Sequence, residues 1–260
     1  MEAAAISQAV DILADCFLKG KAIEALPEAC RPTTLSDAYR IQDALVAKLG
    51  LPLGGWKVGA TNPAPQKALG LPGPFAGRIY ADRILANGVS LSAKQARMRG
   101  MEAELAFRFK TPLKGRNAPY SREEVLDAVD AVIPALEVLD GRFLPGMKIG
   151  GKHIIADLGY HGHFVLGEPI ANWRKVDLIA VEASMTLDGK MVQSGTGAAV
   201  LGDPVVALVW LANHARRHRG IAAGMIVPTG SMTGLHFAPN PSEAVADYGK
   251  FGKITVKFVA

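Results

Sequence analysis

Ten residues, Gly100 to Phe109 (Gly-Met-Glu-Ala-Glu-Leu-Ala-Phe-Arg-Phe), alternate without a break. Ala103, Leu105, Phe107 and Phe109 fall on one side; Glu102, Glu104, Ala106 and Arg108 fall on the other. A period of two marks a strand with one face in an apolar core. It also fixes chemistry, because carboxylates at i and i+2 point the same way, ~6–7 Å apart along the backbone. A third acid, Glu137, sits in the strand-like run Ala135-Leu136-Glu137-Val138-Leu139. Apolar neighbours on both sides set it apart from a casual surface charge. Taken alone, Glu-x-Glu reads most often as the wet face of a half-exposed sheet. Three carboxylates converging on one point would instead require a cation, and hard oxygen ligands select Mg²⁺, Mn²⁺ or Ca²⁺ over zinc.

In 260 residues, 49% hydrophobic and 20% charged, a well-buried core is expected and extended disorder is not. The length suits one large domain, or a small one packed on a larger one. A net charge of +5 suits an anionic small molecule. Nucleic acid is not an expected partner, because no aromatic-basic platform accompanies the scattered cations. The one dense run, Arg216-Arg217-His218-Arg219, reads as a helix C-terminus. Cys16 and Cys30 read as buried thiols of a reducing compartment rather than a disulfide. Met1 to Ala5 carry no basic leader region and no apolar run reaches spanning length, so a cytoplasmic protein without a membrane partner is expected.

Residues 4–19 read as a helix with Ile6, Val10, Leu13 and Phe17 on one face and Gly20 ending it. Residues 35–49 read as a second, opened by Thr34 and Asp37 as a capping box. Gly54-Gly55-Trp56-Lys57-Val58-Gly59 is a short strand whose glycines let a ligand or backbone approach closely. A buried Lys57 there could pair with a carboxylate or carry a proton; the local pattern by itself favours a snorkelling surface lysine. Asp82 is a candidate acid/base partner or a turn cap. Ser121 with Glu124 opens a helix in which Val125, Leu126, Val129 and Val132 face inward, stopped by Pro134. His161-Gly162-His163 would place two imidazoles on one side of a strand, but no third nitrogen or sulfur ligand lies nearby, so a structural role is expected. Asp188-Gly189 marks a type I′ hairpin. Gly195 and Gly197 lack the third glycine and the lysine of phosphate-binding fingerprints. Asp203-Pro204 caps a further helix, and Lys253 to Phe258 alternates as a terminal strand.

Six segments then occur in a telling order: Gly55-Trp56-Lys57-Val58-Gly59-Ala60-Thr61, Glu102-Ala103-Glu104-Leu105-Ala106-Phe107, Ile133-Pro134-Ala135-Leu136-Glu137-Val138, Ile155-Ala156-Asp157, Gly195 to Pro204, and Pro228-Thr229-Gly230-Ser231. Together, over about residues 35–258, they resemble the 2-keto-4-pentenoate hydratase and 4-oxalocrotonate decarboxylase branch of the fumarylacetoacetate hydrolase superfamily. The resemblance implies an α+β fold. A small α/β N-terminal part, set at residues 1–75, would precede a larger mixed-sheet roll at 76–260. It implies Mg²⁺ or Mn²⁺ on Glu102, Glu104 and Glu137, an active-site lysine at Lys57 and an acid/base aspartate at Asp82. The hydrolase branches generally carry aspartate as the third ligand, so Glu137 resembles the hydratase and decarboxylase branch. Thr229, Gly230, Leu158 and His161 are expected at the substrate. The chain departs from the family where Leu158 and Gly159 replace a common Asn-Ala, and where Tyr160, His161 and His163 fill a region usually small and polar. Trp56 is also bulkier than the usual residue before the lysine.

The activity so implied is a metal-dependent lyase on a small anionic 2-oxo acid of aromatic catabolism, with a homo-oligomer as its assembly. Hydration of a 2-hydroxydienoate comes first and vinylogous decarboxylation second, since one constellation serves both. An acylpyruvate hydrolase would need a water-activating His/Glu dyad on a lid, and the N-terminal helices carry no histidine. A catalytically silent binding homologue is the reading from outside enzymology; Lys57 and the three glutamates argue against it.

Overall fold

The computed structural model describes all 260 residues. Two helices open the chain. α1 (Ala3–Lys19) ends at Gly20, whose φ of 63° lies in the left-handed region that glycine enters without strain. α2 (Leu35–Leu49) starts in the expected capping box: Thr34 Oγ1 accepts from the Asp37 N–H, and the Asp37 carboxylate accepts from the Thr34 N–H. Their inward faces join α5 (Gly151–Ala156) in an apolar layer built round Leu13, Ile41, Leu45, Phe143, Ile154 and Tyr160. The remaining helices are α3 (Pro63–Leu69), α4 (Arg122–Asp127) and α6 (Pro204–Ala215). No helix is long and apolar enough to cross a membrane.

Thirteen strands make two sheets. The first contains β1 (Leu53–Gly59), β2 (Phe75–Tyr80), β3 (Ile84–Ala86), β5 (Gly100–Phe109), β6 (Val129–Leu139), β7 (His163–Leu166) and β10 (Ile226–Pro228), in the order β2-β1-β10-β5-β6-β7-β3. The short β11 (His236–Phe237) pairs with the start of β5. The second sheet has the order β4-β13-β12-β8-β9, from β4 (Val89–Ser92), β8 (Glu182–Leu187), β9 (Lys190–Thr196), β12 (Ser242–Asp247) and β13 (Lys253–Val259). Asp188 and Gly189 join β8 to β9 with φ of 48° and 78°, as a type I′ turn requires. The main core lies between the sheets and under α6, with Phe107, Leu136 and Val165 meeting Met185, Ile254 and Phe258. Each fully buried side chain of this size contributes roughly 1.5–3 kcal/mol.

The first sheet curls. Its outermost strands, β2 and β3, are joined by the three-residue turn Ala81–Arg83, so the two edges are neighbours. The fit is close: a Cβ on Gly54 would lie 2.5 Å from the Ile84 side chain. Inside the roll, Ile79, Ala106, Ala135, Phe164 and Ile226 form a small apolar plug. Glu102, Glu104 and Glu137 continue along the same inner face by the alternation of their strands.

One expectation changes. The helix from Ser121 stops at Asp127, and Val129 to Leu139 form one strand with Pro134 inside it, opposite Leu105. Val129, Val132 and Ile133 sit at spacing that also suits a helix, but this stretch is buried on both faces, and β-branched residues favour the strand. Within residues 1–75, α1 and α2 come first, the second ending at Leu49, and β1 and then α3 follow. β1 and β2, on either side of residue 75, pair antiparallel from Leu53↔Tyr80 to Gly59↔Phe75, which sets the strand carrying Lys57 in the first sheet.

Candidate metal centre

Register builds the site. β5 and β6 are antiparallel with Glu102 opposite Glu137 and Glu104 opposite Ala135. Directly opposed residues have Cβ atoms ~4.5–5.5 Å apart. One carboxylate oxygen from each glutamate falls within 4.8 Å of the others. Glu104 and Glu137 are 0% exposed and Glu102 is half-buried. Behind the two strands the buried Tyr248 hydroxyl sits 2.8 Å from the Glu104 carbonyl oxygen and 2.7 Å from that of Ala135, tying the second sheet to the acid-bearing pair.

Each fully buried glutamate has one oxygen held and one left over. Glu104 Oε2 accepts from the Gly230 N–H at 2.7 Å, and no donor reaches its Oε1. Glu137 Oε1 accepts from Lys57, and no donor reaches its Oε2. Lys57 is not the surface lysine that its local pattern favoured; it is 2% exposed. Trp56 and Val58 enter the main core, so strand alternation drives Lys57 into the roll. The residue opposite is Gly77, where a Cβ would lie 2.9 Å from Lys57 Cγ and 2.5 Å from the Leu158 carbonyl oxygen. Lys57 Nζ also donates to the Gly159 carbonyl at 3.0 Å and lies 6.0 Å from the Phe164 ring centroid.

Burial dominates the electrostatics. It raises Glu102 to about 8, with the Glu137 charge adding to the effect and the Lys57 charge and the Ser231 hydroxyl opposing it. Glu104 is pushed well above the usual carboxylate range by burial, then by Glu137 and Glu102. Glu137 is raised by burial, against the pull of Lys57. Like charges in a dry site favour the protonated form, and a bound cation reverses that preference. Two buried acceptors without donors, in an all-carboxylate set, fit a hard divalent ion.

The loop that presents Gly159 to Lys57 has an unusual backbone. Leu158, Gly159 and Tyr160 all have positive φ, at 58°, 69° and 57°. For leucine and tyrosine that is strained, and persists only where the surroundings over-determine it. Asparagine, which the family often carries at position 158, tolerates this conformation better. The brace is Arg142 with Asp157, both buried. The Arg142 N–H and Nε donate to the two Asp157 oxygens at 2.7 and 2.5 Å; Nη2 donates to the Asp157 carbonyl at 2.8 Å and Nη1 to the His161 carbonyl at 3.2 Å. The Ile155-Ala156-Asp157 motif is thus a loop anchor. Arg142, just beyond the Glu137 strand, carried no periodicity or spacing signal.

The other expected site residues are spread out. Gly230 reaches the cluster through its N–H. Thr229 is buried beside it, but its hydroxyl donates to the Leu105 carbonyl at 3.1 Å. The Leu158 side chain belongs to the apolar layer under the N-terminal helices, and only its carbonyl abuts Gly77. Tyr160 packs in the same layer with its hydroxyl on the Gly146 carbonyl at 2.9 Å. His161 stacks on Phe164 with centroids 6.1 Å apart. Its Nε2 accepts from the Tyr80 N–H at 3.1 Å, and His163 Nε2 lies 3.0 Å from Arg83 Nη1, so both lone pairs are already engaged. Burial, with nearby cations, pushes both imidazoles below their usual pKa. Asp82 is not brought to the glutamates: it is exposed on the turn that closes the roll. A broad open concavity of about 930 Å³ on the second sheet, bounded by Lys175, Ser194 and Phe251 among others, shares no residue with the cluster.

Residues 56–259 match the family described as fumarylacetoacetate (FAA) hydrolase C-terminal. The chain belongs to the fumarylacetoacetate hydrolase family. Among relatives in that family, a 2-keto-4-pentenoate hydratase of Paraburkholderia xenovorans is 30% identical over 229 residues, covering 86% of this chain and 84% of the relative. A 4-oxalocrotonate decarboxylase of Pseudomonas putida is 30% identical over 230 residues, covering 87% and 86%. The solved 4-oxalocrotonate decarboxylase from Pseudomonas putida G7, complexed with magnesium and adipate, superposes with a TM-score of 0.89 at 26% identity, over 99% of this chain and 98% of that one. The curled mixed sheet expected from the family resemblance is the fold observed.

Proposed function

We propose that this protein is a divalent-metal-dependent lyase acting on a small 2-oxo acid, and that its reaction is hydration of 2-hydroxypenta-2,4-dienoate or a close relative. The observation that carries this is the inward cluster Glu102, Glu104 and Glu137, with two donorless oxygens beside a buried lysine. The three glutamates would hold Mg²⁺ or Mn²⁺. When bound, such an ion supplies an electrophile for the carboxylate and C2 oxygen of a 2-oxo acid and stabilises the negative charge of an enolate.

The chain's own groups do the rest. The Gly230 N–H fixes Glu104, and Lys57 fixes Glu137, so neither carboxylate must reorganise to bind. Lys57 Nζ is the proton carrier nearest the cluster; it is oriented by Glu137 and the Gly159 carbonyl to deliver a proton during ketonisation of the dienol. Phe164 and the plug behind it exclude water from the floor of the roll. Asp82, exposed on its turn, is given no step. Decarboxylation of a 4-oxalocrotonate-type acid is the second reading, favoured by the likeness to the solved decarboxylase. A cytoplasmic homo-oligomer completes the proposal, consistent with two buried unpaired thiols; light scattering tests the assembly.

Purified protein with Mg²⁺ or Mn²⁺, screened against 2-hydroxydienoates and 4-oxalocrotonate, separates the readings. Loss of the conjugated chromophore without CO₂ supports the hydratase; loss with stoichiometric CO₂ supports the decarboxylase. Ion binding with no turnover of any of these acids would leave a silent homologue.

A further inference from the structure

Beside the loop that carries Gly159 lies a second, smaller cavity of about 40 Å³. The end of α1, Arg83, Lys94, Arg97 and the Asp140–Arg142 turn enclose it, together with His161. Five of the lining residues are cationic (Lys21, Arg83, Lys94, Arg97 and Arg142), and Asp140 is the one acid among them. Part of this charge is spoken for. Arg142 is paired with Asp157, Lys21 is 3.9 Å from Asp15, and Arg97 is 4.0 Å from Asp140. Arg83 and Lys94 have no carboxylate partner.

His161 gives an independent sign of a missing partner. It lines the cavity and is 1% exposed. Its Nε2 accepts the Tyr80 N–H, so the neutral ring carries its proton on Nδ1, and that N–H has no acceptor. Buried donors are nearly always satisfied, by protein, water or a bound ion. A single water needs ~10–15 Å³, so this space admits a group of a few heavy atoms and nothing extended.

We propose that this cavity binds one small oxyanion, a carboxylate group or inorganic phosphate, held by Arg83, Lys94, Arg97 and the His161 Nδ1–H. Arg142 and His161 both border the cavity and both fix the loop whose Gly159 carbonyl orients Lys57. An anion there would therefore stiffen the support of the lysine. Binding itself does not depend on the proposed reaction; only an effect on turnover rests on that reading.

The test uses the full-length protein, titrated by calorimetry and thermal shift with phosphate and, separately, with acetate, against chloride at constant ionic strength. Saturable binding with a rise in Tm is expected for an oxyanion and not for chloride. Preference for phosphate or for acetate identifies the source. Arg83→Gln and the exposed Lys94→Gln should each weaken binding at least ~10-fold, the usual scale for losing a charge-assisted hydrogen bond. Lys94→Gln stands in if Arg83→Gln fails to fold. Arg217→Gln, on the open basic surface formed with Gly115, Arg116 and Arg216, should change nothing. Equal response to chloride, unaltered binding in Lys94→Gln, or loss of binding in Arg217→Gln would overturn the assignment.

Discussion

Two centres of buried charge meet at one loop: Arg142 holds its ends, at Asp157 and His161, and Lys57 holds its middle, at Gly159. They are built differently. Arg142 and Asp157 form a closed set in which both carboxylate oxygens and all three guanidinium nitrogens are hydrogen-bonded. Glu102, Glu104 and Glu137 form an open set: one lysine faces three acids, and two oxygens have no donor. Glu104, Glu137 and Asp157 are all 0% exposed, so burial alone does not separate the two. The difference lies in satisfaction, because a buried polar group without a partner is expensive and a paired one is not. A closed set marks a brace, and an open one marks a place for a ligand. The brace in turn holds the positive-φ stretch Leu158–Tyr160, through which the open set gains its lysine contact.

The largest effect should come from the open set. Lys57→Met should lower turnover by about 10²- to 10⁴-fold, the usual contribution of a positioned proton carrier, with the far-UV circular dichroism unchanged. Near-normal steady-state turnover would make Lys57 a bystander.

Next comes the brace. Arg142→Ala leaves Asp157 buried without its partner and should destabilise the fold by roughly 3–5 kcal/mol in denaturant titrations. A loss below ~1 kcal/mol would show that the pair is no brace and erase the contrast between the two centres. Gly77→Ala should be milder, about 1–3 kcal/mol for overpacking. Its Cβ meets both Lys57 and the Leu158 carbonyl, so turnover should fall with stability. A destabilised variant with full turnover would separate the loop from the chemistry.

The smallest effect has the most telling sign. Glu104→Gln should raise the Tm of the ion-free protein at neutral pH, since a neutral amide lifts the cost of burying a carboxylate or of protonating it on folding. The same logic sets a pH dependence. Glu102 is raised from 4.5 to about 8, so in the ion-free protein its burden is absent below 4.5 and grows as pH rises towards 8. Ion-free stability should fall across that window, and Mg²⁺ should restore more of it at the upper end. A Tm that rises with pH there would place the glutamates in a wetter site than the roll provides.

How much of this could be read from the chain depends on the range of the signal. The alternation of Gly100 to Phe109, the Thr34–Asp37 capping box and the Asp188-Gly189 turn are local, and each appears where its pattern put it. Register is not local. Nothing in the sequence states that Glu137 pairs with Glu102, or that Gly77 clears space for Lys57. Periodicity failed at Val129 to Ile133, where burial on both faces erases the distinction between helix and strand. For Asp82 the local pattern allows either a site residue or a turn cap, and only the closure of the roll shows it facing solvent. Arg142 was invisible because a buried arginine is recognised by its partner, fifteen residues away at Asp157.

The most direct test of the open set is metal content read together with activity. Protein purified without chelator should carry about one divalent ion per chain on its oxygen ligands. Exhaustive chelation should abolish turnover of the acid identified in the substrate screen. Mg²⁺ or Mn²⁺ should restore it in the wild type and fail to do so at the same concentration in Glu104→Gln. Full activity after chelation, with no metal detectable by elemental analysis, would contradict the assignment of Glu102, Glu104 and Glu137 as a metal centre.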